Sequence, residues 1–492
     1  MKKQKDGLSF AKFIRTPQAL KDLKIILGYF IAGYFFLKIC YPFPDMTASD
    51  SGGYVAAAIG DLFYVYRPFG FSWFLQVLHA VSSSIHAVFI CQHILHFTSV
   101  VFFIWTVSFF LPPKRNVWYY TFIGLCCFSP FYFYMSNSLL SDSLFATLTT
   151  FWLTTAIWVV MRPAIFSGIL HALLLFWLLH TRYIAFFYPF LSFPFFIWLL
   201  RKRSLLPVFF SVFAILVFYN QTCNSMEATV GKRQFSTGFS GWQTANNALH
   251  VIPHIDLKTN ELPDARLRVL HQFVMHQKEE IARTTAQGPS ASFLWSQNLP
   301  LKQYLFHMME QNQSDYLRTW VKAGDDFGRY GNYLISHYPF SYLRHYFLPN
   351  LWCSFYPPTE GYANYNYREI FKEEIVYYRL AENTDISARW DFMKIPAPHV
   401  PLINLVGWIF IFILLSAALV HIKKIKFSRH ERIIFWFLLT FGITYIGAVT
   451  YGSPIAARYF LPLVSVKSFV IYLLLNHLPI KKQPDAPETI KK

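Results

Sequence analysis

The stretch DMTASDSGGYVAAAIGDLFYVYRPFG, residues 45–70, lies between apolar runs yet carries Asp45, Asp50, Asp61 and Arg67. A bilayer core of ~30 Å needs about 20 largely apolar residues per helix, and a first such run, 23–41, ends just before it. The stretch therefore reads as the loop that follows a first membrane span. The paired glycines Gly52-Gly53 let the backbone turn tightly beside Asp50. Tyr54 to Leu62 reads as a short helix, and Arg67-Pro68 opens a new segment, because proline suits the first turn of a helix. A carboxylate held at a membrane surface among aromatics suits a general base. The same residues also make an ordinary hydrated loop.

Working outward, long apolar runs recur. The chain of 492 residues is 54% hydrophobic, 20% aromatic and only 14% charged, against roughly 25% charged in soluble domains, with a mean hydropathy of +0.32. This predicts an all-α polytopic membrane protein. Spans are expected at 23–41, 87–111, 117–134, 142–161, 164–179, 184–200, 204–220, 402–420, 432–450 and 456–475, ten in all. The first is too long for a signal-peptide core and reads as a retained anchor. Phe69 to Val81 is apolar but short, an interfacial helix. The expected domains are an N-terminal transmembrane module, 1–220, with its first outer loop at 42–86, then an extracytoplasmic domain, 221–400, and C-terminal spans with a basic tail, 401–492.

Charge orients this layout. Placing both termini in the cytoplasm puts 22 Lys and Arg on the cytoplasmic flanks and 3 on the short outer loops, the asymmetry of the positive-inside rule. Residues 221–400 hold 17 Lys+Arg and 17 Asp+Glu, so the exported part is formally neutral. The net charge of +18 thus belongs to the cytoplasmic flanks, where anionic lipid attracts it. A nucleic-acid partner, which needs a basic face, is not expected; membrane lipids are. Of the six cysteines, four lie in or beside spans, while Cys223 and Cys353 fall in the exported domain, where a disulfide is chemically permitted. Neither CxxC nor HExxH occurs, so no metal is indicated, although a divalent ion is not ruled out.

The exported part reads as mainly helical, with apolar residues at helical spacing over Asp264–Ala286 and Ser314–Tyr338. Phe239 to Leu249 and Asn350 to Asn366 read as loops. Their aromatics with Asn and Gln suit either sugar stacking or packing.

Three polar features stand at the outer ends of spans. Asp50 is the first. Asp142, in Met135-Ser-Asn-Ser-Leu-Leu-Ser-Asp142, is the second, and an aspartate there also makes a helix N-cap. The third is a set of lone arginines: Arg67, Arg182 and Arg458. Arginine suits a phosphate at a membrane boundary through forked, charge-assisted hydrogen bonds, and it also snorkels to headgroups. Arg182 and Arg458 are expected to converge on the cavity that holds Asp50. Lys467, midway along the last span, requires a polar interior. Carboxylates and arginines outside, with no nucleotide loop inside, point to a lipid-phosphate donor.

Asp50-Ser51-Gly52-Gly53-Tyr54, Tyr66-Arg-Pro-Phe-Gly70, Leu140-Ser-Asp-Ser-Leu-Phe145 and Ala457-Arg-Tyr-Phe-Leu-Pro462 are similar to motifs of the GT-C superfamily. These are integral-membrane glycosyltransferases that use polyprenyl- or dolichyl-phosphate sugars, related to protein mannosyltransferases and aminoarabinose transferases. The resemblance covers residues 23–220 and 402–475. It implies Asp50 as catalytic base, Asp142 as a second, orienting acid, and Arg182, Arg458 and Arg67 on the donor phosphate. Ser51, Gly52, Gly53 and Tyr54 would form the substrate loop. It also implies the outer face of a bacterial cytoplasmic membrane and a glycan, lipid or protein acceptor. The chain departs from the pattern at Phe69, where relatives commonly carry a second proline, and in its insertion at 221–400. The alternatives are a glycan polymerase or ligase with a diphosphate-linked donor, and a lipid or glycan transporter.

Overall fold

Long apolar runs with few breakers form helices, since a helix satisfies its own backbone groups in lipid. In a computed structural model, residues 9–47, 50–60, 66–200, 203, 205–359, 365–366, 369–381, 384–394, 399–421 and 425–477 are described. Asp61 and the basic tail beyond 477 lie outside these. Among the described residues the chain is helical without named strands.

In chain order the membrane-type and loop helices are α1 (Pro17–Cys40), α2 (Ser51–Gly60), α3 (Gly70–Val81), α4 (Ile85–Phe110), α5 (Asn116–Cys127), α6 (Pro130–Ser136), α7 (Ser141–Met161), α8 (Ile165–Thr181), α9 (Tyr188–Leu200) and α10 (Leu205–Val230). A polar region follows with α11 (Phe239–Ala248), α12 (Ala265–His276), α13 (Lys278–Ala286), α14 (Pro300–Asn312), α15 (Tyr316–His337) and α16 (Lys372–Tyr377). Then come α17 (His399–Val420), α18 (Arg429–Gly452) and α19 (Val464–His477), the last entered by a 3-10 turn at Ala457–Leu463.

Among the described residues, eight helices are long and apolar enough to cross a membrane. The two other expected spans fall short of that length. The run at 117–134 is broken in two, because Ser129 caps α6 and Pro130 occupies its first turn. α8 is apolar but has 17 residues. Phe69–Val81 is realised as α3, and the helix expected at Tyr54–Leu62 begins earlier, at Ser51.

One end of the bundle carries α2, α3 and the polar region. By the alternating course of the chain, the ends of α1, α8, α10 and α18 and the starts of α4, α7 and α17 belong to that end. The other end is tied by Glu431, whose Oε1 accepts from Lys114 Nζ at 2.8 Å and lies 2.9 Å from His477 Nε2.

The polar region has two parts. Residues from Met226 to Leu334 share one hydrophobic core, whereas Tyr365, Tyr378, Phe392 and Met393 join the core beneath the first loop, with Tyr41, Met46, Tyr54 and Phe71. α10 runs on to Val230, past the boundary expected at 220.

Phe239–Ala248 is a helix, not the expected loop. Its small residues serve a close helix crossing. A β-carbon on Gly241 would overlap the Gly324 carbonyl, and one on Gly331 would sit 2.8 Å from Ala245 N. Glycine lowers helix propensity, but here it lets α11 and α15 meet backbone to backbone. Trp242 and Trp320 stack beside this crossing at 3.8 Å between ring centroids, both fully buried. These aromatics are packing rather than an open sugar platform. Asn350 sits in a short helix, Leu348–Trp352, and its amide donates to the carbonyls of Thr450 and Ser453, both at 2.8 Å. Cys223 and Cys353 are free thiols.

Candidate active site

Asp50 immediately precedes α2, and its carbonyl accepts from Tyr54 N at 3.3 Å. Gly52 and Gly53 are the second and third residues of that helix. They do not make the tight turn expected from their sequence. The requirement at Gly52 is space, because a β-carbon there would meet the Phe371 ring at 3.0 Å.

Ser51 and Tyr54 hold α2 against the chain that leads into α7. Ser51 Oγ donates to Leu139 O at 3.0 Å, and the Tyr54 hydroxyl pairs with Ser141 Oγ at 2.9 Å. An isolated parallel bridge pairs Asp45 with Ser138. Through it Asp45 N donates to Asn137 O at 2.9 Å and Leu139 N donates to Asp45 O at 2.8 Å. These ties carry Asp50 to the start of α7, one residue from Asp142. Both Ser51 and Tyr54 are buried, so in this structure they are tethers.

Asp142 is not an N-cap. The cap position is Leu140, without a side-chain bond, and Asp142 turns to arginine instead. Arg182 Nη1 donates to Asp142 Oδ1 at 2.5 Å. Arg67 Nη2 donates to Asp50 Oδ2 at 3.0 Å. Arg458 bridges the two pairs, with Nη1 3.8 Å from Asp50 Oδ2 and 3.6 Å from Asp142 Oδ2. The side chains of Arg67, Arg182 and Arg458 are 16, 12 and 7% exposed, so these are held charges rather than headgroup-seeking ones.

Arg67 is aimed from the residue before Pro68, its guanidinium 5.1 Å from the Phe239 ring centroid. Arg182 follows the last residue of α8. α3 approaches this point so closely that a β-carbon on Gly70 would lie 2.5 Å from His180 O. Arg458 sits in the 3-10 turn, fixed where Ala457 N donates to Pro358 O at 2.8 Å. Tyr459 was not foreseen. Its ring lies under both Arg182 and Arg458, at 5.8 and 5.3 Å, and its place beside Arg458 in the sequence was the available signal.

Burial pushes the Asp50 carboxyl up, but the guanidiniums of Arg67, Arg458 and Arg182 together outweigh it and hold the group below the ordinary carboxylate range. Asp50 is therefore an ionised hydrogen-bond acceptor at neutral pH. A cavity of about 150 Å³ adjoins the cluster, lined by Arg67, Arg182, Phe239, Gln243, Tyr445 and Tyr459 among others. Its cations and amide fit an anionic oxygen cluster such as a phosphate.

Lys467 lies apart from this cluster. Its Nζ donates to Asn404 Oδ1 at 2.5 Å and stands 4.6 Å over the Trp408 ring. Among the described residues no group of three or more His, Cys, Asp or Glu is placed to hold a metal ion. No family model, curated protein or solved structure matches the chain.

Proposed function

We propose that the protein is an inverting glycosyltransferase of the GT-C type. It would move a sugar from a polyprenyl-phosphate donor to an acceptor hydroxyl at the outer face of a bacterial cytoplasmic membrane. The observation that carries this reading is the cluster of two aspartates and three arginines at one end of an apolar helix bundle.

Charge supports the choice of donor. The five side chains sum to +1. A polyprenyl-phosphate sugar is a phosphodiester with one negative charge, which the cluster balances. A diphosphate-linked donor brings more charge than these groups neutralise, and this favours transfer from a monophosphate over the polymerase or ligase alternative.

The chemistry follows from the same geometry. The donor phosphate takes up the forked donors of Arg182 and Arg67 and draws them partly from the carboxylates. Asp50, relieved of some of that hold, accepts the acceptor's hydroxyl proton as the oxygen attacks the anomeric carbon. The bond from that carbon to the phosphate oxygen breaks on the opposite face, so configuration inverts. Polyprenyl phosphate leaves with the electron pair, and the arginines stabilise the growing charge. An aspartate is a weak base for a ground-state hydroxyl, so its help comes as the hydroxyl acidifies in the transition state. A positioned base of this kind contributes roughly 10²–10⁴ in rate.

The test is sugar transfer from a polyprenyl-phosphate donor by the full chain in nanodiscs. Asp50→Asn keeps size and a hydrogen bond to Arg67, so the protein should fold and bind donor while transfer collapses. Normal turnover by the folded variant would rule out Asp50 as base, whereas no transfer by the folded wild-type chain would direct attention to lipid or glycan transport.

A further inference from the structure

The face of α2 opposite its tethers lines a second, larger cavity. Ser51 and Tyr54 are tied to the chain around the start of α7, while Gly52, Val55, Ala56 and Ile59, spaced as one helical stripe, line a space of about 420 Å³. Met46 and Thr47 bound it on one side and the segment carrying Glu369, Phe371, Glu373 and Glu374 on the other. No Lys, Arg or His is among its described lining residues. Its charge is opposite to that of the arginine-lined cavity.

Glu374 is 3% exposed. Its Oε2 accepts from Phe371 N at 3.2 Å, while Oε1 has no hydrogen-bond partner among the described residues. That oxygen lies 3.8 Å from where a β-carbon on Gly52 would stand, two residues from Asp50. Thr47 Oγ1, also buried, likewise lacks a partner among the described residues. Leaving buried polar atoms unmade costs free energy, and the two residues that carry them line one cavity. Glu369 and Glu373 are exposed at its rim. The carboxylates do not converge as a metal site would require.

A ligand that completes this site must donate several hydrogen bonds and carry positive charge, which describes a protonated primary amine. We propose that the cavity binds a primary ammonium group borne by the acceptor, and so sets the acceptor's hydroxyl beside Asp50. This rests on the transferase reading for its purpose, though the binding itself does not. Burial, with help from the neighbouring Glu373 carboxylate, pushes Glu374 up to about 7 against the pull of the Phe371 N–H. An ammonium partner would restore its ionised form.

The test is direct binding to the full chain in phosphatidylcholine nanodiscs, by calorimetry, with glucosamine, ethanolamine, glucose and choline as probes. Glucosamine or ethanolamine should bind and glucose should not. Glu374→Gln should weaken amine binding by at least about tenfold, as expected for loss of a charged hydrogen bond. Thr47→Val is a second variant, expected to weaken it less, should Glu374→Gln fail to fold. Binding of glucosamine alone would mark an amino-sugar acceptor, and of ethanolamine alone a small headgroup-type amine. Equal binding of amine and neutral probes, or amine binding unchanged in a folded variant, overturns the proposal. Because binding is read without turnover, failure here leaves the Asp50 assignment standing, and failure of transfer leaves the cation site standing.

Discussion

Arg458 stands 3.8 Å from Asp50, although one residue opens the last membrane helix and the other follows the first. The same guanidinium is 3.6 Å from Asp142. One cation from the end of the chain thus joins two ion pairs that would otherwise be separate. Without Arg458 each carboxylate keeps one arginine, so the loss is that of the bridging contacts and should fall below the roughly 3–5 kcal/mol that breaking a buried pair outright costs.

Arg458→Gln should therefore lower the thermal midpoint and weaken donor binding together. Combining it with Asp142→Asn should cost less than the sum of the two single losses, because the Arg458–Asp142 contact is then lost only once. A double-mutant cycle on thermal unfolding measures this. Strict additivity of the two losses would show that the residues do not act on one another.

Gly241→Ala should destabilise the helical domain, since the added carbon collides with backbone at Gly324 rather than with a movable side chain. Overpacking of this kind costs at least about 1–3 kcal/mol. Gly447→Ala serves as a control, because nothing lies within 4 Å of its β-position. That change should be neutral or favourable by up to about 1 kcal/mol, the usual gain of alanine over glycine in a helix. Limited proteolysis of the two variants separates the cases, with early cleavage expected only for Gly241→Ala.

Stability should depend on Glu374 between about pH 4.5 and pH 7. The folded state raises this carboxyl from its ordinary 4.5 to about 7, mainly by burial. A raised acid binds its proton more tightly in the native state, so below the unfolded value Glu374 exacts no penalty. As pH rises through the folded value the native state loses up to a few kcal/mol relative to the unfolded chain. Glu374→Gln should thus become more favourable relative to wild type at pH 8 than at pH 4.5, read from thermal midpoints in detergent without amines. A difference independent of pH would mean that Glu374 is not buried in this way.

Thr259 and Lys426 lie at opposite ends of the bundle by the course of the chain. With the termini inside, as the charge asymmetry implies, a cysteine at 259 in a cysteine-free background should react with an impermeant maleimide on intact cells. One at Lys426, which is exposed, should react only after permeabilisation. The reverse pattern would invert the topology.

Much of this was legible in the residues. Apolar length marks a membrane helix because lipid offers the backbone no partners, and this local requirement located the eight long helices with two shorter ones. It could not foresee the break at Ser129-Pro130, where capping and proline geometry interrupt an apolar run. Nor could it show that the glycines of α11 form a helix, because their purpose is the close approach of α15, far away in sequence. Asp50, Asp142, Arg67, Arg182 and Arg458 stood out because charges are costly near a bilayer unless compensated, and Arg182 and Arg458 were expected to converge on Asp50. Their pairing was decided by tertiary structure alone. Which arginine meets which aspartate depends on how helix ends from both halves of the chain come together, and on the backbone bridge between Asp45 and Ser138. Glu374 needed that structure most: in sequence it is one of two adjacent glutamates, and only the folding of its segment across Gly52 buries one while leaving its neighbour in solvent.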